Sequence, residues 1–198
     1  MSIKNIIFDL GGVLLEFNPQ KIVSHYLTND EDISAVVQCV FQSDIWAELD
    51  RGVVREEDVI LYAKQHLPER LHAGIENLFH HWYTHFTEIE GADIFVRNLI
   101  SRGYHVYLLS NINDKFYIIK EQLKVLKHFP DFVISSDIHI NKPAPGIYTH
   151  LLEKFDLSAD ECLFLDDREV NVIGARAVGM HSEIFTSYND PNLQQYVS

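Results

Sequence analysis

The polar residues that could do chemistry in this chain each follow a short apolar run. Asp9 follows IIF, Ser110-Asn111 follows VYLL, and Asp166-Asp167 follows CLFL; Ser135, Ser136 and Asp137 follow FVI, with Lys142 shortly after. One such residue is an ordinary turn former, but a whole set of this kind describes a site. Asp9, Asp166 and Asp167 offer hard carboxylate oxygens, which suit Mg2+ with several retained waters. No matching His or Cys cluster favours zinc. A hydroxyl (Ser110), a backbone amide and a cation (Lys142) can hold phosphoryl oxygens. An aspartate, ionised above about pH 4, can attack phosphorus and form an aspartyl-phosphate. A metal ion cancels the repulsion that would keep that carboxylate from an anionic ester. The residue types select phosphoryl transfer.

Such a set works only if the elements bring it together. Ile3–Phe8, His105–Leu109, Phe132–Ile134 and Cys162–Leu165 read as buried strands because they are continuous rather than alternating, with Ser182–Phe185 as a fifth candidate. Helical patterns lie between them at Ala92–Arg102, Asp114–Leu126, Pro145–Phe155 and Val170–Val178, and Gly103 and Gly179 stand where helix C-terminal caps belong. Strands alternating with helices predict a Rossmann-like, doubly wound parallel sheet, α/β in class, whose ligands bind beyond the carboxyl ends of the strands. Residues 17–88 break the rhythm. Ile22–Leu27, Ile33–Phe41, Asp44–Leu49, Glu56–His66 and Ile75–His85 all look helical. This predicts a small all-helical cap inserted after the first strand, with 1–16 and 89–198 forming the catalytic core. The tail, TSYNDPNLQQYVS, carries turn signals and is expected to be only partly ordered.

Four motifs in order resemble those of the haloacid dehalogenase-like hydrolase superfamily, over nearly the whole chain. IIFDLGGVL is similar to the first, which implies Asp9 as nucleophile and metal ligand and the Gly11 carbonyl as a second ligand. LLSN is similar to the second, which implies that Ser110 and the Asn111 amide hold phosphate. NKPAPGIY is similar to the third, with Lys142 steadying nucleophile and phosphate. FLDDREVNVIGARAVGM resembles the fourth, where the spacing to Asn171 implies Asp167 as a metal ligand and Asp166 as its neighbour or partner. The helical insert is similar to the small cap of the subgroup holding phosphoglycolate phosphatases and dehalogenases. Within it, the FDLG motif most resembles that of bacterial α-glucose-1-phosphate phosphatase. The resemblance implies a Mg2+-dependent phosphatase for a small phosphorylated metabolite such as a sugar phosphate.

One position departs from the family's usual Asp-x-Asp, whose second Asp moves the leaving group's proton: here it is Gly11. A glycine cannot transfer a proton, so a leaving group of low pKa is favoured, with Glu16 or a histidine of the insert as conceivable substitutes. The alternatives are a 2-haloacid dehalogenase, which needs no metal and so no acidic pair, and a phosphate-binding regulator that has lost turnover.

Other residues read more plainly. His81 and His85 share a helical face, but no third ligand accompanies them or His80. Trp46, Tyr62 and Trp82 read as insert core, and Arg51 as either a helix-end cap or a substrate contact. With 16 Lys and Arg against 29 Asp and Glu, the net charge of -13 argues against nucleic acid and anionic membranes as partners. Cys39 and Cys162 stand far apart, which fits a reducing compartment. No apolar stretch approaches the ~18 residues of a membrane span. A cytoplasmic protein is expected.

Overall fold

The computed structural model describes residues 3–197; residues 1, 2 and 198, which the expected core includes, lie outside the described residues. Its centre is a five-stranded parallel sheet built from β1 (Asn5–Phe8), β4 (His105–Ser110), β5 (Phe132–Ile134), β6 (Cys162–Asp166) and β7 (His181–Ile184). Two further short strands, β2 (Leu15–Glu16) and β3 (Thr87–Glu88), pair with each other antiparallel. The main sheet runs β5-β4-β1-β6-β7. The strand order therefore reverses at β1, and a crevice opens beyond the carboxyl ends of β1 and β6. Their register pairs Phe8 with Leu165, so the next residue on each strand, Asp9 and Asp166, must emerge side by side.

Alternation along the strands divides the core. Ile6, Phe8, Leu163 and Leu165 face one side, whereas Ile7, Leu109 and Phe164 face the other. The first cluster continues without a break into the helical segment between β2 and β3, through Trp46, Val59, Ile75, Leu78 and Trp82. That segment holds helices Pro19–Ser24, Asp30–Val36, Asp44–Asp50, Glu56–His66 and His72–His81, with a π-helical turn at Val37–Phe41. The β2–β3 pair closes its base, so chain entry and exit lie together. β3 is a departure from the all-helical reading of 17–88, because Glu88 completes a pairing that only its distant partner Leu15 makes possible.

Two other expectations change. The predicted helix Asp114–Leu126 is broken into Phe116–Gln122 and a 3₁₀ turn, Val125–His128. Leu123 is extended between them, and the Val125 amide donates to the Glu88 Oε1 at 2.9 Å instead of to its own helix. The tail is not loose over its last turns: Pro191–Val197 is helical, with Leu193 and Val197 buried against the first cluster. The isolated apolar residues there gave no periodic signal long enough to read.

Phe8 is fully buried, with its ring 5.5 Å from that of Phe129 and 6.3 Å from that of Phe95. Phe8→Ala should lower stability by about 3–5 kcal/mol. A urea midpoint shift smaller than that of an exposed control such as Ile94→Ala would contradict the packing described.

Candidate active site

Lys142 lies where the carboxyl ends of β1, β4 and β6 meet, with its side chain 1% exposed. Its ammonium has three donors, and all are committed: to Asp9 Oδ1 at 2.7 Å, to Asp166 Oδ2 at 2.7 Å and to the Leu109 carbonyl at 2.9 Å. A phosphate could reach this ammonium only at the expense of one of these bonds. Burial works to lower the Lys142 pKa, yet the charges of Asp9 and Asp166 raise it above the usual range, so the amine stays charged. Asp9 goes the same way for the opposite reason. Burial pushes its carboxyl up, Lys142 opposes this, Asp166 adds to it, and the result is about 7.

Asp166 is fully buried and its oxygens are fully subscribed. Oδ1 accepts from the Arg168 amide at 2.8 Å, and Asn171 Nδ2 donates to both oxygens at 3.0 Å. Asn171 thus orients this carboxylate, and its own buried Oδ1 has no partner among the described residues. Asp167 is exposed at the rim. It packs so closely on Gly12, which has φ +75°, that a Cβ there would stand 2.4 Å from Asp167 Oδ2. Only glycine leaves that carboxylate its place.

Oxygens of Asp9, Asp166 and Asp167 all lie within 4.8 Å of one another. Three hard anionic donors with one cation among them leave an excess of negative charge, and Asn171 Oδ1, unpartnered among the described residues, can accept a hydrogen bond from a bound water. This donor set fits a hard divalent cation. The histidines are elsewhere: His85 stacks on His25 at 4.0 Å and hydrogen-bonds the Tyr26 hydroxyl at 2.7 Å.

Ser110 is buried and lines the same cleft of about 400 Å3 as Asp9, Gly11, Asn111, Lys142 and Asp167. The Asn111 side chain is occupied in a reciprocal pair with the Lys142 backbone, at 3.0 and 2.7 Å, which fixes the lysine loop against β4. The helical segment roofs the cleft with Phe17, Phe41, Trp46 and Asp50. Trp46 is both insert core and cleft wall, 4.4 Å from the Phe41 ring and 5.2 Å from that of Trp82. Arg51 points aside, paired with Glu48 at 2.5 Å.

Asp50 and Ser135 carry more than the sequence suggested. Ser135 was visible only as a polar residue after a strand; it accepts from the Ile112 amide at 2.9 Å and donates to the Asp50 carbonyl at 2.5 Å. Asp50 had one usable signal: it ends a helix that has no basic residue in its last turn. A carboxylate is the unfavourable charge at a helix C-terminus.

Comparison with known proteins gives the family. Residues 3–179 match the haloacid dehalogenase-like hydrolase family. The chain is 30% identical to the sesquiterpene phosphatase astK of Aspergillus oryzae over 182 residues, covering 90% of this chain and 88% of that one. It is 25% identical to the D-ribitol-5-phosphate phosphatase of Bacteroides thetaiotaomicron, over 98% and 96% of the two chains. A haloacid dehalogenase family enzyme of the same bacterium, solved with magnesium and inorganic phosphate, superposes with a TM-score of 0.73 at 22% identity, over 96% and 98% of the chains. A family match across almost the whole chain makes this protein a member of the haloacid dehalogenase-like hydrolases.

Proposed function

We propose that this protein is a Mg2+-dependent phosphatase for a small phosphorylated metabolite, a sugar or polyol phosphate in our reading, working through an aspartyl-phosphate on Asp9. The observation that carries this is the meeting of Asp9, Lys142, Asp166 and Asp167 at the mouth of the sheet. Asp9, the Gly11 carbonyl and Asp167 would hold the metal, with Asp166 a weaker candidate because its lone pairs already serve Lys142, Arg168 and Asn171. Bound there, Mg2+ would offset the charge of an incoming phosphate.

The chain's own residues do the rest. Lys142 fixes the Asp9 carboxylate with one oxygen toward the cleft, while the Leu10 amide, 2.6 Å from Oδ1, helps set its rotation. Ser110 and the Asn111 amide would receive phosphoryl oxygens, and the aromatic roof would shed water around the ester. The names of the curated relatives support phosphatase over dehalogenase chemistry. A cleft of about 400 Å3 suits a metabolite rather than a phosphoprotein. The FDLG first motif supports a likeness to bacterial α-glucose-1-phosphate phosphatase within that class. We also propose that the helical segment 17–88 acts as the cap that selects the leaving group.

Asp9→Asn should abolish p-nitrophenyl phosphate hydrolysis, and EDTA should do the same to the wild type reversibly. Turnover that survives either treatment would exclude the aspartyl-phosphate route. In the metal-free protein, the raised Asp9 pKa means that the folded state holds a proton the unfolded state sheds between about pH 4 and 7. This group's stabilising contribution is therefore full at low pH and is lost as pH rises through that window. Mg2+ must displace the same proton, so its affinity should rise about tenfold per pH unit up to about 7 and then level. Titration calorimetry showing a flat affinity across that window would contradict the assignment of Asp9 as a ligand.

A further inference from the structure

An alkoxide leaving group needs a proton, and Gly11 has none to give. The ionisable groups lining the cleft are Asp9, Asp44, Asp50, Lys142, Asp167 and Arg168. Asp9 is the nucleophile of the proposed reaction, Lys142 has no donor to spare, and Asp167 is placed for the metal. Arg168 does not release a proton in a protein. Asp44 is exposed at the start of its helix, a turn and more from Asp50 and absent from the smaller pocket beside the cleft. The substitutes suggested by the sequence are spoken for: Glu16 bonds Lys21 and Thr87 on the surface, and His85 is stacked on His25, neither lining the cleft.

Asp50 remains, and its setting is specific. Its side chain has no hydrogen-bond partner among the described residues, and it lines the main cleft as well as a smaller pocket of about 60 Å3 beyond. Gly11, Phe17, Trp46, Ser110 and Asn111 line both spaces. Asp50 thus lies where the main cleft adjoins an aromatic recess lined by Trp46, Trp82 and Phe86. It is also held from the core side. Ser135, His139 and Asn141 donate to the carbonyls of Asp50, Arg51 and Ala47 at 2.5, 2.9 and 2.7 Å, capping the helix that carries it. Gly52, at φ +69°, lets the following turn press on the Ser136 backbone, where a Cβ would come within 2.9 Å of the carbonyl oxygen. A helix anchored this way holds its last side chain in register with the site.

We propose that Asp50, carried by the helical insert, is the proton-transfer residue of this enzyme, occupying the role that Gly11 cannot fill. The inference rests on the phosphatase reading above. As an Asp9 carboxylate oxygen bonds to phosphorus, the phosphorus–oxygen bond to the leaving group breaks; its electron pair stays on that oxygen, which takes the Asp50 proton and leaves as an alcohol. Asp50, now a carboxylate, then accepts a proton from the water that attacks phosphorus, and the electron pair of the Asp9–phosphorus bond returns to Asp9. One proton is given and one regained per cycle. Burial, and then the charge of Asp9, push the Asp50 carboxyl well above the usual carboxylate range against the pull of Arg168 and Lys142, which favours the protonated form at the start.

The test is Asp50→Asn, which keeps shape and removes the transferable proton, assayed by rapid mixing with Mg2+ on two substrates. With sorbitol 6-phosphate, whose alkoxide needs the proton, the first step should slow by about 10²–10⁴-fold. With p-nitrophenyl phosphate, the first step should stay within about threefold of wild type, giving one equivalent of nitrophenolate per site followed by slow turnover while water attack is impaired. Unchanged melting temperature and Mg2+ affinity would exclude misfolding as the cause. Equal losses in the first step for both substrates, or no loss for either, would overturn the role of Asp50. A wild type inactive on both substrates would instead sink the phosphatase reading beneath it.

Discussion

An ammonium group shared between two carboxylates governs this molecule. Lys142, Asp9 and Asp166 are all buried, and their contacts run at 2.7 Å. Two unit charges about 4 Å apart attract by about 4 kcal/mol at an effective dielectric near 20. Leaving one partner of a buried pair alone commonly costs about 3–5 kcal/mol. The sheet can end in charge only because the lysine is there, and the lysine can be buried only because two acids meet it. The arrangement still carries a surplus negative charge, more so with Asp167 nearby. That surplus gives a divalent cation its place, and the cation in turn makes the anionic cleft acceptable to an anionic ester.

Around this centre the chain spends its hydrogen bonds on position. Asn171 clamps Asp166 with one amide nitrogen, and Asn111 clamps the Lys142 backbone with both ends of its side chain. Neither needs to touch substrate to matter. The same holds at the roof, where three core side chains cap the helix ending in Asp50, and Lys115 bonds Glu56 at 3.1 Å across to the insert. Glu56 also accepts from the Trp82 indole at 2.7 Å, which ties that bridge to the aromatic cluster over the cleft. Polar ties of this kind, added to a hydrophobic cluster continuous with the sheet, make the insert part of the site's wall.

Much of this was legible in the residues. Continuous apolar runs capped by Asp, Ser-Asn and Asp-Asp identify parallel strands and what emerges from their ends, because a strand buried on both faces leaves polar groups nowhere else to go. Sequence reading placed β5 to the residue and most other boundaries within a residue or two. It failed where distant partners intervened. The helix after Asn113 breaks because Glu88 captures the Val125 amide, and the tail folds because the core offers Leu193 and Val197 a face.

The sequence by itself determined the chemistry available: which carboxylates, which hydroxyl and which lysine stand at the ends of which strands. Local pattern suffices for that, since strand and helix periodicities follow from the backbone. Only the tertiary structure decided which of these groups are already committed and which are free. Lys142 proves to be saturated by Asp9, Asp166 and Leu109, whereas the Asp50 side chain, unremarked among ELDRG, lines the cleft without a hydrogen-bond partner among the described residues. Commitment of this kind depends on residues tens of positions apart meeting at about 3 Å, and no periodicity along the chain records such a meeting.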